Sequence, residues 1–287
     1  MKHHFSVAVG PTGFRVGAAW RAPIAALEQL YAAYPKPEGG LADFTVRLEP
    51  QTRLRLWLRP SVAINGDFML PDALPLPLAQ GVLAAEMGMN LQMAMGQRHF
   101  LLLHASSVER DGKALILTGE SGSGKSTLSA LLGERGWRFM GDEFALIDPV
   151  SGLAYPFPRP ISLKNEAITV MTNALPPDRF GPLLPGTPKG DIRHMIPAFS
   201  AIAAMSVPAR PALILFPRFG YAADVRDMGG SEVFVRLTQA STNYVALGER
   251  GFDALSNLVT QVPARAIDYP DTESAVALVE KLWAEYT

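Results

Sequence analysis

Apolar and polar residues in the first third of the chain alternate in short runs separated by Pro, Gly and Asn. A period of two residues predicts strands, and apolar residues three or four positions apart predict a helix. These patterns predict a small α/β unit. Its predicted elements are strands at Phe5–Gly10, Phe14–Gly17, Phe44–Leu48 and Leu54–Arg59, a helix that follows Pro23, and turns at Pro11–Gly13 and Asn65–Gly66.

Residues Leu76–Gly96 are nearly all apolar, with Glu86 as the one charged residue, and they predict a helix that is buried on most sides. The pattern changes after this helix, because strands and a glycine-rich loop follow. We therefore place a domain boundary near Gln97. It separates a domain at residues 1–97, a candidate module for partner or substrate recognition, from a larger domain at residues 98–287.

The larger domain combines strand and helix patterns and contains a proline-rich stretch that predicts a long loop. The terminal helix is predicted to be capped by Asp271 or Thr272. The predicted elements are strands at Phe100–His104, Lys113–Thr118 and Ala264–Tyr269, a loop at Asn173–Pro188, and helices at Glu232–Ala246, Glu249–Val262 and Thr272–Tyr286.

Composition excludes several classes of protein. The 287 residues are 48% hydrophobic and 18% charged, with a net charge of −1, so no overall basic field favours nucleic acid. The absence of cysteine excludes disulfides, thiolate metal sites and a cysteine nucleophile. Met195–Pro217 is the most apolar long stretch, but prolines and an arginine make it a poor membrane span. The N-terminus has no apolar signal core, so we expect a cytoplasmic protein.

Residues 119–127, GESGSGKST, match the phosphate-binding pattern G-x-x-x-x-G-K-[ST] in full, between a predicted strand and a predicted helix. Glycines let backbone N–H groups surround a polyphosphate, and the helix N-terminus adds partial positive charge. Lys125 is placed to reach the β- and γ-phosphates, and the Ser126 hydroxyl is placed to bind Mg²⁺. We therefore expect ATP and Mg²⁺ as cofactors. The expected nucleotide contacts are Gly119, Ser121, Gly122, Ser123, Gly124, Lys125, Ser126 and Thr127.

The loop alone leaves the fate of the γ-phosphate open among hydrolysis, transfer to an acceptor and simple sensing. A guanine-binding N-K-x-D or T-K-x-D box is absent, since Lys164–Ala167 does not match it. The chain also has no signature of an ABC-type ATPase. A regulatory GTPase and a mechanical ATPase are therefore disfavoured.

Two acids compete for the magnesium carboxylate that phosphoryl transfer requires near the loop. Asp148 follows four apolar residues, as in a Walker B strand, but Pro149–Gly152 is strong turn chemistry that favours a turn role. Asp142 comes 17 positions after Lys125, which suits a strand adjacent to the phosphate loop. We favour Asp142, with Glu143 beside it.

The stretch Leu101–Ile147, with a histidine, the phosphate loop and Gly141-Asp142-Glu143 in this order, resembles the HPr kinase/phosphorylase superfamily. That superfamily is related to ATP-dependent phosphoenolpyruvate carboxykinase, and the layout is most similar to its HPr kinase-related kinase A group. The resemblance covers residues 76–287 well and the N-terminal third weakly. It implies an α/β P-loop kinase domain, a mixed sheet with flanking helices, after a small α/β N-terminal domain.

The resemblance also implies roles for individual residues. His104 occupies the position of the family histidine, and Asp142 and Glu143 occupy those of an Asp-Asp pair. Asp142 would then be the general base toward a hydroxyl, and Asp142, Glu143 and Ser126 would be the metal ligands. Which acid is base and which is ligand stays open. Glu143 departs from the family Asp, and the later E-I-R-G-x-G pattern is missing. HPr itself and a reverse dephosphorylation are therefore disfavoured.

The favoured interpretation is a kinase that phosphorylates a Ser/Thr hydroxyl of a protein or peptide. A small-molecule kinase acting on a sugar or glycan, and a nucleotide-binding regulatory module without transfer activity, are the alternatives. The acceptor is thus a protein, a peptide or a small molecule; nucleic acid and a membrane span are not expected, and a homo-oligomer is possible. Weaker candidates for phosphate or acceptor contacts are Arg159, Lys164, Lys189, Arg193, Arg218 and Arg236.

Overall fold

The computed structural model describes residues 1–286, which form two compact units. The first unit comprises Met1–Gly96 and Ser162–Ile196. The second comprises Gln97–Ile161 and the residues from Pro197 onward. This division differs from the predicted continuous domain at residues 98–287, because Ser162–Ile196 packs with the N-terminal residues.

Strands and helices alternate irregularly along the chain, with short 3-10 turns between some of them. The strands are β1 (His3–Val9), β2 (Thr12–Ala18), β3 (Phe44–Pro50), β4 (Ser61–Gly66), β5 (Leu76–Pro77), β6 (Leu101–Leu103), β7 (Ala105–Arg110), β8 (Lys113–Thr118), β9 (Arg138–Gly141), β10 (Ala145–Ile147), β11 (Ala154–Tyr155), β12 (Ile161–Lys164), β13 (Phe180–Thr187), β14 (Gly190–Met195), β15 (Arg210–Phe219), β16 (Asp224–Asp227) and β17 (Ala264–Tyr269). The helices are α1 (Arg21–Leu30), α2 (Gly81–Gly96), α3 (Lys125–Glu134), α4 (Glu166–Ala174), α5 (Phe199–Ala203), α6 (Gly230–Ala240), α7 (Tyr244–Leu247), α8 (Glu249–Gln261) and α9 (Thr272–Tyr286). No helix within residues 1–286 is both long enough and apolar enough to cross a membrane.

The first unit is built on a five-stranded sheet in the order β1-β2-β3-β4-β5. In β3 the side chains of Phe44, Val46 and Leu48 are buried while Arg47 is exposed, as period-two alternation predicts. Helix α2 packs on β3 and β4 and is buried along most of its length, as its apolar composition predicts.

The predicted strand Leu54–Arg59 is wrong. Residues Arg53–Leu56 form a 3-10 turn instead, and the Thr52 hydroxyl caps it by accepting a hydrogen bond from the Arg55 backbone N–H (3.4 Å). Local side-chain capping stabilised this turn where the apolar alternation was irregular. The predicted turn at Asn65–Gly66 is also wrong, because both residues belong to β4 and pair with β3.

The proline-rich stretch Asn173–Pro188 is not one long loop. It contains a 3-10 turn and β13, which forms a three-stranded sheet in the order β12-β14-β13. Pro182 and Pro185 fit because β13 is an edge strand and its register with β14 shifts twice. Leu30 of α1 contacts Gly181 of β13, and this contact connects the three-stranded sheet to the N-terminal part of the first unit.

The second unit is built on a six-stranded sheet in the order β16-β17-β15-β8-β7-β9. Strands β8, β15 and β17 are parallel, and β7 is antiparallel to both β8 and β9. The carboxyl ends of β8, β9, β15 and β17 therefore lie at one edge of the sheet, which we call the carboxyl edge. Helices α6 and α8 pack on one face with Ile116 and Ile214, and α3 and α9 pack against each other and against the strands.

The sheet order corrects one expectation, and the sheet contains strands that the sequence did not predict. β9 is not adjacent to β8, because β7 lies between them. The sequence did not predict β15, since prolines interrupt it. Pro211 lies at a register shift, and Pro217 lies beyond Leu215, the last residue of β15 that pairs with β8.

Strands β8 and β17 and helices α3 and α9 coincide with predicted elements. Asp271 caps α9, because its carboxylate accepts hydrogen bonds from the Ser274 backbone N–H (2.8 Å) and hydroxyl (3.0 Å). Asp148 accepts from the Val150 N–H (3.0 Å) and the Ser151 hydroxyl (2.7 Å), as its turn role predicts. Burial acts to raise the pKa of Asp148, but these hydrogen bonds outweigh it, so the pKa is lowered.

Candidate nucleotide-binding site

The glycine-rich loop joins the carboxyl end of β8 to the first turn of α3. Gly119, Gly122 and Gly124 have φ angles of 142°, 86° and 92°. These values lie where a side chain is disfavoured, so glycine permits the path of the loop. No atom lies within 4 Å of the Cβ position at Gly122, whereas a Cβ at Gly124 would lie 2.4 Å from the Tyr269 hydroxyl. The loop is therefore open on one side and tightly packed on the other.

The Lys125 side chain lies inside the loop and is hydrogen-bonded to the first residues of the loop. Its Nζ donates hydrogen bonds to the carbonyl oxygens of Gly119 and Glu120, both at 2.7 Å. The side chain is 7% exposed, so a buried positive charge lies under the turn. Because polyphosphates are anionic, this charge favours their binding.

The loop also holds a buried hydroxyl. Ser123 Oγ has no hydrogen-bond partner within residues 1–286, and it lies 3.8 Å from the Cβ position of Gly119. A buried polar atom without a partner is costly, so a ligand oxygen at this position would stabilise it. Helix α3 begins here with Gly124 as N-cap and without a side-chain cap. The N–H groups of its first turn can therefore receive an anion. Both features fit a nucleotide phosphate.

Two aromatic residues from the parallel strands brace the loop. The Tyr269 hydroxyl, at the end of β17, donates to the Ser123 carbonyl oxygen (3.1 Å). Phe219, at the end of β15, packs against Tyr269 with ring centroids 5.9 Å apart. Burial raises the pKa of Tyr269, so its hydroxyl remains a donor at neutral pH. The loop is thus fixed by contacts from two neighbouring strands.

Asp142 lies at the carboxyl edge on the other side of β8. Its Oδ1 accepts a hydrogen bond from the Ser106 hydroxyl at 2.7 Å, and the residue is 6% exposed. Ser106 in β7 pairs with Leu117 in β8, and Gly141 pairs with Ser107. Asp142 is therefore two strand spacings, about 10 Å, from the strand that leads into the loop. The carboxylate is held in a fixed orientation at this edge.

Glycine before Asp142 is required by close packing. A Cβ at Gly141 would lie 2.9 Å from the Phe144 carbonyl oxygen and 3.2 Å from that of Phe157. The Phe157 N–H also donates to the Met140 carbonyl oxygen (2.6 Å), which aligns residues 157–159 with the end of β9. These contacts fix the backbone that presents Asp142.

His104 and Glu143 lie together, and Glu143 follows Asp142 directly in the chain. His104 Nδ1 is 3.2 Å from the Glu143 carbonyl oxygen and 3.7 Å from Glu143 Oε2. The Thr118 hydroxyl donates to the His104 carbonyl oxygen (3.1 Å) and so connects this pair to the end of β8. The histidine and the two acids of the predicted site are therefore brought to one edge.

The metal ligands expected from the sequence are Ser126, Asp142 and Glu143, one hydroxyl and two carboxylates. Within residues 1–286 no group of three or more His, Asp or Glu side chains is arranged to hold a metal ion. Mg²⁺ in nucleotide sites is usually bound by one or two carboxylates together with substrate phosphates and water. The donor set of this edge fits that mode of binding.

The weaker candidates for phosphate or acceptor contacts lie in different parts of the structure. Arg159 is 5% exposed and its backbone N–H donates to the Phe157 carbonyl oxygen (2.9 Å), beside the end of β9. Arg218 pairs with Asp268, and Arg236 pairs with Glu232 (2.9 Å). The remaining three, Lys164, Lys189 and Arg193, belong to the first unit.

The sequence did not single out Ser106, Phe219 or Tyr269. Tyr269 ends a predicted strand, but only the sheet order reveals that this strand reaches the phosphate loop. Ser106 lies two positions after the end of the predicted strand Phe100–His104, and nothing local distinguishes it.

Comparisons with known proteins find distant structural similarity. No protein-family model and no curated protein matches the chain. Among solved structures, the chain is similar to the Hpr(Ser) kinase/phosphatase from Coxiella burnetii, with 13% sequence identity and a TM-score of 0.25. The match covers 64% of this chain and 98% of that one. At this identity and TM-score the match identifies no family for the chain.

Proposed function

We propose that the chain is an ATP- and Mg²⁺-dependent kinase that transfers the γ-phosphate to a hydroxyl, most specifically a Ser/Thr hydroxyl of a protein or peptide. One observation carries the proposal. The phosphate loop, with the Lys125 ammonium inside it, and the buried carboxylate of Asp142 lie at the same edge of one sheet.

Each residue has a role that its surroundings support. The N–H groups of residues 119–127 and the Lys125 ammonium would bind the triphosphate and neutralise its charge. The Ser126 hydroxyl and an acid, Asp142 or Glu143, would hold Mg²⁺, which supplies further positive charge next to the phosphates when it is bound.

In this proposal Asp142 also acts on the acceptor. Its carboxylate would take the proton from the acceptor hydroxyl as the oxygen attacks phosphorus. The hydrogen bond from Ser106 orients that carboxylate. His104, beside Glu143, would hold the second acid in place through its contact with Glu143.

Incubation with γ-labelled ATP, Mg²⁺ and candidate Ser/Thr peptides or a cell lysate tests the proposal. We expect Lys125→Ala to lower label transfer by at least about 100-fold, the usual cost of removing a preorganised electrostatic group. Lys281→Ala is the matched control, because Lys281 is exposed on α9, and it should leave transfer unchanged.

Calorimetric titration with ATP accompanies the labelling experiment. ATP binding without any labelled product would favour the regulatory module, and labelling only of sugars or glycans would favour a small-molecule kinase. Full transfer by Lys125→Ala would refute the assignment of the loop.

A further inference from the structure

The two sides of β8 differ in chemistry at the carboxyl edge. Toward β7 and β9 lies the carboxylate of Asp142. Toward β15 lie two aromatic residues, Phe219 at the end of the strand and Tyr221 two positions later, which are 45% and 51% exposed. The nucleoside is attached at the opposite end of a triphosphate from its γ-phosphate. With the γ-phosphate toward Asp142, the base therefore extends toward the aromatic side.

Residues 219–221, which we call the aromatic segment, lie within contact range of the phosphate loop. Phe219 Cβ is 3.5 Å from the Cβ position of Gly124. The Gly220 backbone N–H donates to the Tyr269 carbonyl oxygen (2.9 Å), so the turn that carries Tyr221 is tied to the residue that braces the loop. These contacts fix the backbone that leads into Tyr221 next to the phosphate loop.

The Tyr221 ring packs against the side chain of Arg218. The Arg218 guanidinium carbon lies 3.9 Å from the centre of the Tyr221 ring, which is a stacking distance. Arg218 is held in turn by two hydrogen bonds to the Asp268 carboxylate, one of them 2.9 Å long. The ring is thus oriented by its neighbours although half of its surface faces solvent.

We propose that Tyr221, backed by Arg218, is the platform on which the base of the bound nucleotide stacks. The proposal rests on the proposed function, because it requires the loop to hold a nucleotide. A π-face binds any base by stacking, and an oriented ring loses little conformational freedom on binding. Tyr221 therefore determines affinity for the nucleoside part of the ligand, while the loop determines affinity for the phosphates.

Calorimetric titrations with Mg²⁺-ATP and with Mg²⁺-tripolyphosphate separate these two parts. We expect Tyr221→Leu to weaken ATP binding by about tenfold, within the range for one base stacked on an aromatic ring. Tripolyphosphate has no base, so its affinity should stay that of the wild type, because the phosphate contacts of the loop are intact. Tyr221→Phe keeps the ring and should restore ATP binding.

Phe252→Leu is the matched control, since Phe252 is also 51% exposed but lies on α8. It should change neither affinity. Equal losses for ATP and tripolyphosphate in Tyr221→Leu, or no loss for either, would overturn the stacking platform while leaving the phosphate site in place. A wild-type chain that binds neither ligand overturns the nucleotide site and the platform together.

Discussion

Glycine has different structural roles in the two units: it permits close packing in the first and an unusual backbone conformation in the second. In α2 of the first unit, a Cβ at Gly88 would lie 2.5 Å from Val46 Cγ1, and one at Gly96 would lie 2.4 Å from Phe44 Cε1. These glycines let a helix approach a sheet closely. In the phosphate loop of the second unit, Gly122 has open space at its Cβ position and a φ of 86°. Gly122 is required because the backbone of the loop adopts a positive φ at this position. Glycine content alone therefore identifies no binding site. An open position with a positive φ does not identify one either, since Gly152 has both features. The G-x-x-x-x-G-K-[ST] pattern between β8 and α3 distinguishes the loop.

Asp142→Asn should give the largest effect, because it removes the proton acceptor and leaves both groups of glycines untouched. We expect turnover to fall by about 100- to 10,000-fold, the usual contribution of a general base. ATP affinity and the free energy of unfolding should change little, since asparagine has the same shape and its oxygen can still accept from Ser106. Steady-state phosphoryl transfer and calorimetric titration measure the two quantities.

Asp148→Asn is the control, because this acid also follows an apolar strand but bonds within a turn. It should leave turnover unchanged. Equal loss in both variants would mean that the position of Asp142 has no special role at the carboxyl edge.

Gly124→Ala tests the loop side of the comparison. An L-residue in the left-handed region costs about 1–2 kcal/mol, and the new methyl group would also strike the Tyr269 hydroxyl. We expect nucleotide affinity to fall by at least about tenfold, which corresponds to 1.4 kcal/mol. Gly152→Ala is the control, because Gly152 also has a positive φ (71°) but has no atom within 4 Å of its Cβ position. A similar loss of affinity in the control would contradict the assignment of the loop.

Gly88→Ala tests the packing side. The added methyl group overpacks the contact with Val46, which costs about 1–3 kcal/mol, while replacing a helical glycine regains about 1 kcal/mol. We expect a lower free energy of unfolding in urea and unchanged nucleotide affinity of the folded protein. Gly230→Ala at the start of α6, where the nearest atom is 3.7 Å away, should not destabilise the chain. If Gly88→Ala stabilised the protein, the close approach would be unimportant.

Local chemistry made part of this structure predictable. The phosphate loop, its flanking strand and helix, the turn at Asp148 and the cap at Asp271 each depend on residues a few positions apart. The apolar composition of Leu76–Gly96 likewise predicted a buried helix, which the structure has at Gly81–Gly96, because a helix that is apolar on every side must be buried.

Long-range pairing made the rest unpredictable. The insertion of β7 between β8 and β9 depends on which strands pair, and no local pattern records that choice. The contact between Tyr269 and Ser123 joins residues 146 positions apart. At Leu54–Arg59 a single cap from Thr52 outweighed an irregular strand pattern. Side chains that brace a site from distant strands are therefore the ones that sequence reasoning misses.

Tyr269→Phe gives the smallest expected effect. It tests the contact between Gly124 of the phosphate loop and the tyrosine that packs against it. Loss of one hydrogen bond to the Ser123 carbonyl oxygen costs about 0.5–1.5 kcal/mol, so nucleotide affinity should fall by about two- to tenfold. The ring still fills its position against Phe219, so the free energy of unfolding should fall by no more than the ~0.5–1.5 kcal/mol of that hydrogen bond.

The same variant decides how much of the Gly124→Ala effect comes from contact with the tyrosine. The hydroxyl is the atom that the new methyl group would strike, so Tyr269→Phe removes the collision but not the strain at φ 92°. We therefore expect the loss of affinity caused by Gly124→Ala to be smaller in the Tyr269→Phe background than in the wild type, a positive coupling in a double-mutant cycle. Additive losses would show that backbone strain alone accounts for the glycine, and that Tyr269 does not limit the space of the loop.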